Sequence, residues 1–247
     1  MKFKVVSWIV WLISTLIAAG IAVLCWLEYD GEWLMMWITG WAVILSLPVC
    51  SLFHELGHAL FGVFSKIHAK IRLSSIFFFF KPSSCEIIPK VAHGVKKRLI
   101  ATTAGGLVVN FILVVFGLVA LKVSAIPSFL ALLFVPASFY LFVINILPME
   151  TGNGKTDGLV IAELIKNEDS AKVMLSVLTV QAQVLGGKPI EEVDEKLLFD
   201  LPQIQEDEPA FISLTELRAE YFAAKGDTAN AQKYKSRFEQ LKEDYLN

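Results

Sequence analysis

Val5 to Leu27 is a run of 23 residues without a charge. A helix needs about 20 such residues to cross a bilayer, so this run alone restricts the chain to a membrane or an unusually apolar core. It is too long for the core of a secretory leader, and no cleavage site follows it, so it reads as a retained first span. Trp33 to Phe64 is a second apolar run, Leu99 to Leu121 a third and Phe129 to Leu147 a fourth. Pro48 is the expected kink in the second, because proline removes a backbone donor and clashes with the preceding turn. The expectation is four transmembrane helices, over about 5–27, 34–64, 99–121 and 129–147.

Composition supports the division. The 247 residues are 55% hydrophobic and 19% charged, with a mean hydropathy of +0.59. Soluble domains carry about 25% charge. Apolar residues crowd the first 148 positions and charges the last 90. A membrane domain over 1–158 and a soluble domain over 159–247 are therefore expected. Neither half interleaves basic and aromatic residues as a nucleic-acid surface does, so nucleic acid is set aside as a partner. Cys25, Cys50 and Cys85 form no Cys-x-x-Cys pair.

Charge sets the expected orientation. Lys66 to Arg98 holds eight Lys or Arg and a single acidic residue, Glu86, whereas Glu28 to Glu32 is an acidic connector. Positive loops stay on the cytoplasmic side, so this loop, Lys2 and Lys4 are expected inside. Four spans then put both termini in the cytoplasm, in a multi-pass protein of the cell membrane. The compact plan suggests a bacterial source.

Within that loop, Lys66, His68, Lys70 and Arg72 alternate with Ile67, Ala69, Ile71 and Leu73, which is strand periodicity. Ile76 to Phe80, a turn at Lys81 to Ser84, and Cys85 to Val91 complete a candidate hairpin at the membrane interface. The alternative is a loop whose aromatic residues anchor among the headgroups. In the tail, Ser213 to Lys225 and Asp227 to Tyr245 have helical spacing, with Gly226 as the break and Asp227 as N-cap. Their pattern looks like a single tetratricopeptide-type hairpin, a unit that normally needs stacked neighbours. The expected fold class is an all-α membrane protein of about four transmembrane helices. It carries a short interfacial β-hairpin loop and a C-terminal cytoplasmic, tetratricopeptide-like helical domain.

The chemistry is concentrated in His54-Glu55-Leu56-Gly57-His58. Residues four apart are neighbours on a helix, so both imidazoles can reach one Zn2+ at about 2.0–2.1 Å. Zinc makes hydroxide available near neutral pH, and Glu55 stands beside the histidines as the acid/base that moves its proton. Two exposed histidines on a soluble helix would mean little. Here the motif lies in an apolar run, where ionisable groups are costly and function is the default reading. A catalytic zinc normally takes a third protein ligand. The end of the fourth span offers Asp157 and, closer to Pro148, its rival Glu150.

With Asn145-Ile-Leu-Pro148, Asp157-Gly158 and Gly105-Gly106-Leu-Val-Val-Asn110, the chain resembles the site-2 protease family of intramembrane metalloproteases over roughly residues 34–165. The resemblance implies one Zn2+ per chain held by His54, His58 and Asp157, with Glu55 catalytic. It also implies that Asn145 and Asn110 hold the substrate backbone, and that the loop hairpin offers an edge to an extended substrate. One departure is clear. The gap from Pro148 to Asp157 is longer than the family's, and contains Gly152, Asn153 and Gly154.

The expected activity is thus that of a zinc metalloendopeptidase. Its substrate is a transmembrane or membrane-associated peptide, cut near the cytoplasmic face. Its surroundings are the lipid bilayer and a cytoplasmic protein partner held through 159–247. The alternative is an inactive membrane binding or scaffold protein that retains the metal. A zinc carrier is weaker still, for want of a second polar site in the spans.

Overall fold

A computed structural model describes residues 3–72, 84–123, 125–151 and 154–246. The chain is mostly helical. Helix α1 (Phe3–Glu28), α2 (Trp33–Phe64), α3 (Val95–Ala120) and α4 (Phe129–Ile146) come first, with strands β1 (Ile67–Arg72) and β2 (Ser84–Pro89) between α2 and α3. Each of the four apolar runs forms one helix long and apolar enough to cross a membrane. α2 continues through Pro48 as one element of 32 residues. After α4 come the two-residue strands β3 (Glu150–Thr151) and β4 (Gly154–Lys155), then α5 (Asp157–Lys166), α6 (Asp169–Leu185), α7 (Lys196–Phe199), α8 (Pro209–Ala224) and α9 (Thr228–Leu246).

The chain divides into two compact units. One holds the described residues of Met1–Val63, Ala69–Glu86 and Ala101–Ile161; the other holds Phe64–His68, Ile87–Ile100 and the described part of Ala162–Asn247.

In the first unit, α1 and α4 lie antiparallel along their length. Ile21 and Cys25 near the end of α1 pack with Ala131, Leu132 and Val135 near the start of α4. Val6 and Val10 near the start of α1 pack with Ile144 near the end of α4. Polar contacts mark both ends of the pair. The Tyr29 hydroxyl accepts from the Ser128 backbone N–H at 3.2 Å, and the Ser7 and Tyr140 hydroxyls are 2.9 Å apart. Large apolar side chains such as Trp8, Leu16, Trp33 and Val63 stay exposed. Water would penalise so much bare apolar surface, whereas lipid tails would not.

β1 and β2 pair in a two-stranded sheet. The expected tip of that hairpin, including the Phe77–Phe80 run, lies outside the described residues.

The second unit is built on Val173, Val177 and Val180 of α6, Leu198 of α7, and Leu214, Leu217 and Tyr221 of α8, all buried. Around this core, the Arg218 Nε donates to the Leu198 carbonyl at 2.7 Å and its guanidinium lies over the Phe199 ring. α8 and α9 pack side by side, with Phe222 and Tyr234 stacked at 5.5 Å. Gly226 turns the chain between them with φ of +76°, a conformation that costs glycine nothing. Asp227 caps α9 by accepting from the Asn230 N–H at 3.0 Å.

Candidate metal centre

The site begins with the closeness of α2 and α3. A Cβ on Gly57 would lie 2.5 Å from the Gly105 carbonyl oxygen. Small residues let helix backbones meet in this way. One residue further along, a Cβ on Gly106 would lie 2.6 Å from the His54 Cε1 and 2.7 Å from the His58 Nε2. The missing side chain at Gly106 is therefore the space that the two imidazoles occupy.

His54, Glu55 and His58 are all buried on α2. The His58 Nδ1 lies 3.0 Å from the Thr102 carbonyl of α3. A carbonyl only accepts, so Nδ1 carries the hydrogen and a neutral ring keeps a lone pair on Nε2. That Nε2 faces the His54 Nε2 at 3.2 Å. The third atom is the Asp157 Oδ2, 3.3 Å from the His54 Nε2 and 3.6 Å from the His58 Nε2.

These distances suit a metal. Tetrahedral ligands at about 2.0–2.1 Å stand about 3.3 Å from one another. Asp157 Oδ2 is also buried with no hydrogen-bond partner among the described residues. A cation there would be shared by all three atoms when both rings present a bare Nε2, and would neutralise the buried carboxylate. His54, His58 and Asp157 form a group able to hold a metal ion.

Asp157 reaches the cluster because the long connector folds. Glu150 pairs with Lys155 and Thr151 with Gly154, antiparallel, so the connector doubles back and adds little net distance. Gly152 and Asn153 lie outside the described residues. Thr156 fastens the return. Its hydroxyl donates to the Leu147 carbonyl at 2.7 Å and accepts from the Met149 N–H at 3.1 Å and the Leu159 N–H at 3.3 Å. The last of these makes it the N-cap of α5. Asp157 is then the first residue of that helix. At Gly158 a Cβ would come within 2.5 Å of the Ile146 carbonyl carbon, so α5 starts hard against the end of α4.

The other sequence candidates fall as follows. Glu150 is exposed on β3 and is not in the ligand group. Asn145 Nδ2 donates to the Leu141 carbonyl one turn back, at 3.0 Å. Asn110 is fully buried, and its amide nitrogen Nδ2 lies 2.9 Å from the His54 Nδ1. The Cys50 thiol donates to the Leu133 carbonyl at 3.4 Å and is not in the ligand group. Sequence reasoning missed the Thr102 carbonyl, which no sequence signal marks, and Thr156. A threonine immediately before Asp-Gly at a helix start is a readable cap signal.

No protein-family model, curated protein or solved structure matches the chain.

Proposed function

We propose that the chain is an intramembrane zinc metalloendopeptidase of the site-2 protease kind. The observation that carries the reading is the convergence of His54 Nε2 and His58 Nε2, on a helix long and apolar enough for a membrane, with Asp157 Oδ2 at the start of α5. Soft-to-borderline nitrogen donors with one carboxylate suit zinc. When bound, zinc supplies a Lewis acid that polarises a carbonyl and makes water a nucleophile at neutral pH.

This chain's own residues supply the rest. Glu55 follows His54 on α2 and is buried. Its carboxylate takes the proton of the attacking water and passes it to the leaving amine. The Thr102 carbonyl fixes the His58 ring, so that the ring presents Nε2. The substrate is a transmembrane or membrane-associated peptide, cut near the cytoplasmic face, a side supported by the positive charge of the loop that follows α2. Asn145 is the residue of α4 offered to its backbone. The paired strands β1 and β2 serve as an interfacial edge, and the α8–α9 hairpin serves as a tetratricopeptide-like contact for a cytoplasmic partner.

The test uses purified protein with a membrane peptide that it cleaves. Glu55→Gln should keep its zinc and lose about 10²–10⁴ in rate; His54→Ala should lose both zinc and cleavage. Undiminished cleavage by Glu55→Gln overturns the mechanism. Zinc binding by a wild-type protein that cuts no membrane peptide would favour a metal-retaining scaffold instead.

A further inference from the structure

We propose that Asn110 is a positioning residue that sets the tautomer of His54. The inference rests on the metal-site reading above and assigns that site a part it lacked.

Both histidines must present Nε2 to a shared ion, since the two Nε2 atoms are the ones that face each other. A neutral imidazole has one lone pair on nitrogen, so each ring needs its hydrogen on Nδ1. For His58 the Thr102 carbonyl enforces this. For His54 the group opposite Nδ1 is the Asn110 amide, whose Nδ2 lies 2.9 Å away. An amide offers oxygen or nitrogen from one position by a half-turn about its last torsion. Only the oxygen accepts the Nδ1 hydrogen, so the working arrangement has Asn110 Oδ1 towards His54.

Three features favour this role over an encounter with substrate. Asn110 is fully buried. With Nδ2 towards His54, the buried Asn110 Oδ1 has no hydrogen-bond partner among the described residues, and the half-turn of the amide gives it the Nδ1 hydrogen. It also lies on α3 two turns beyond Thr102. One helix thereby supplies the acceptor for both rings, and Gly105 and Gly106 bring it close enough to do so. Outer partners of this kind orient a metal-bound histidine and raise its basicity.

The experiment is nitrogen NMR on the full chain in detergent, with the four histidines 15N-labelled. It is run free of metal, about two pH units above the ordinary imidazole value of about 6.5. Signals are assigned by single His→Gln replacements. Wild-type His54 should show a protonated Nδ1 and a bare Nε2. A wild-type His54 protonated on Nε2 overturns the proposal with no variant at Asn110 needed. Asn110→Leu should lose the preference and weaken Zn2+ about 10–100-fold against a competing chelator. Asn110→Asp, which still accepts, should restore both. Unchanged Zn2+ affinity in Asn110→Leu also overturns the proposal. A wild type with the expected tautomer but no Zn2+ binding would instead sink the metal-site reading, so the two failures are distinguishable.

Discussion

Gly57 of α2 and Gly105 of α3 meet backbone to backbone, so that a Cβ on Gly57 would lie 2.5 Å from the Gly105 carbonyl oxygen and 2.9 Å from its carbonyl carbon. Neither obstacle is the end of a flexible side chain that could swing aside. Gly57→Ala must push the helices apart, at a cost of about 1–3 kcal/mol or more for overpacking. The same shift moves the Thr102 carbonyl and Asn110 away from the histidines. Thermal unfolding in detergent should fall for Gly57→Ala, and Zn2+ affinity should fall with it. A variant with wild-type stability and wild-type metal binding would show that this contact does not build the site.

Thr156 is no ligand, yet its hydroxyl ties Leu147, Met149 and Leu159 together around the approach to Asp157. Thr156→Val keeps the shape and removes the hydroxyl. Losing an N-cap costs about 0.5–2 kcal/mol, and here Zn2+ affinity should also drop because Asp157 opens the capped helix. Thr156→Ser should retain both properties. Equal Zn2+ affinity in the valine and serine variants would remove Thr156 from the site.

The histidine pair was legible because its spacing is local: positions four apart on one helix meet whatever the rest of the chain does. The four apolar helices were legible for a similar reason, since each run is long enough to define its own element. Asp157 was reachable from a motif resemblance, but not the path that delivers it. That path depends on Gly154, at φ +120°, and on a threonine hydroxyl that bonds across the turn, neither of which has a period to read. The roles of Thr102 and Asn110 were hidden further, because they depend on the register of α3 against α2. A backbone carbonyl carries no mark of residue type, and an asparagine in an apolar run can be interhelical glue, a substrate contact or a histidine's partner. Only the distance to Nδ1 separates these.

Lys225 and Tyr221 both donate to the Glu195 carboxylate, at 2.8 Å and 2.5 Å. The lysine first, then the tyrosine, holds that carboxyl below its ordinary value of 4.5. Glu195 in turn pushes Lys225 up to about 12. A depressed carboxyl contributes stability above its unfolded value and loses it as pH falls through the folded one. The raised lysine contributes below its unfolded value of 10.5 and loses it as pH rises through about 12. Between those limits the pair is intact. Glu195→Gln should therefore melt below the wild type at neutral pH and converge with it well below 4.5. Melts of the full chain across that range check this, and a gap that widens in acid would contradict it.

Glu150 opens the small β3–β4 hairpin and Asp157 follows it as the first residue of α5, and of the two only Asp157 joins the histidines. Saturating metal stabilises a protein that binds it only when folded, by about 2.7 kcal/mol at a hundred times Kd. Zn2+ should accordingly raise the melting temperature of the wild type, and chelation should reverse the rise. Asp157→Asn keeps the size of the side chain but lacks the charge, so the Zn2+-dependent rise should shrink or vanish. Glu150→Gln should respond to Zn2+ as the wild type does, because its carboxylate is exposed on β3. The opposite pattern, a full response in Asp157→Asn and a lost one in Glu150→Gln, would mean that the hairpin swings Glu150 onto the metal, and that the ligand set is wrong in its third member.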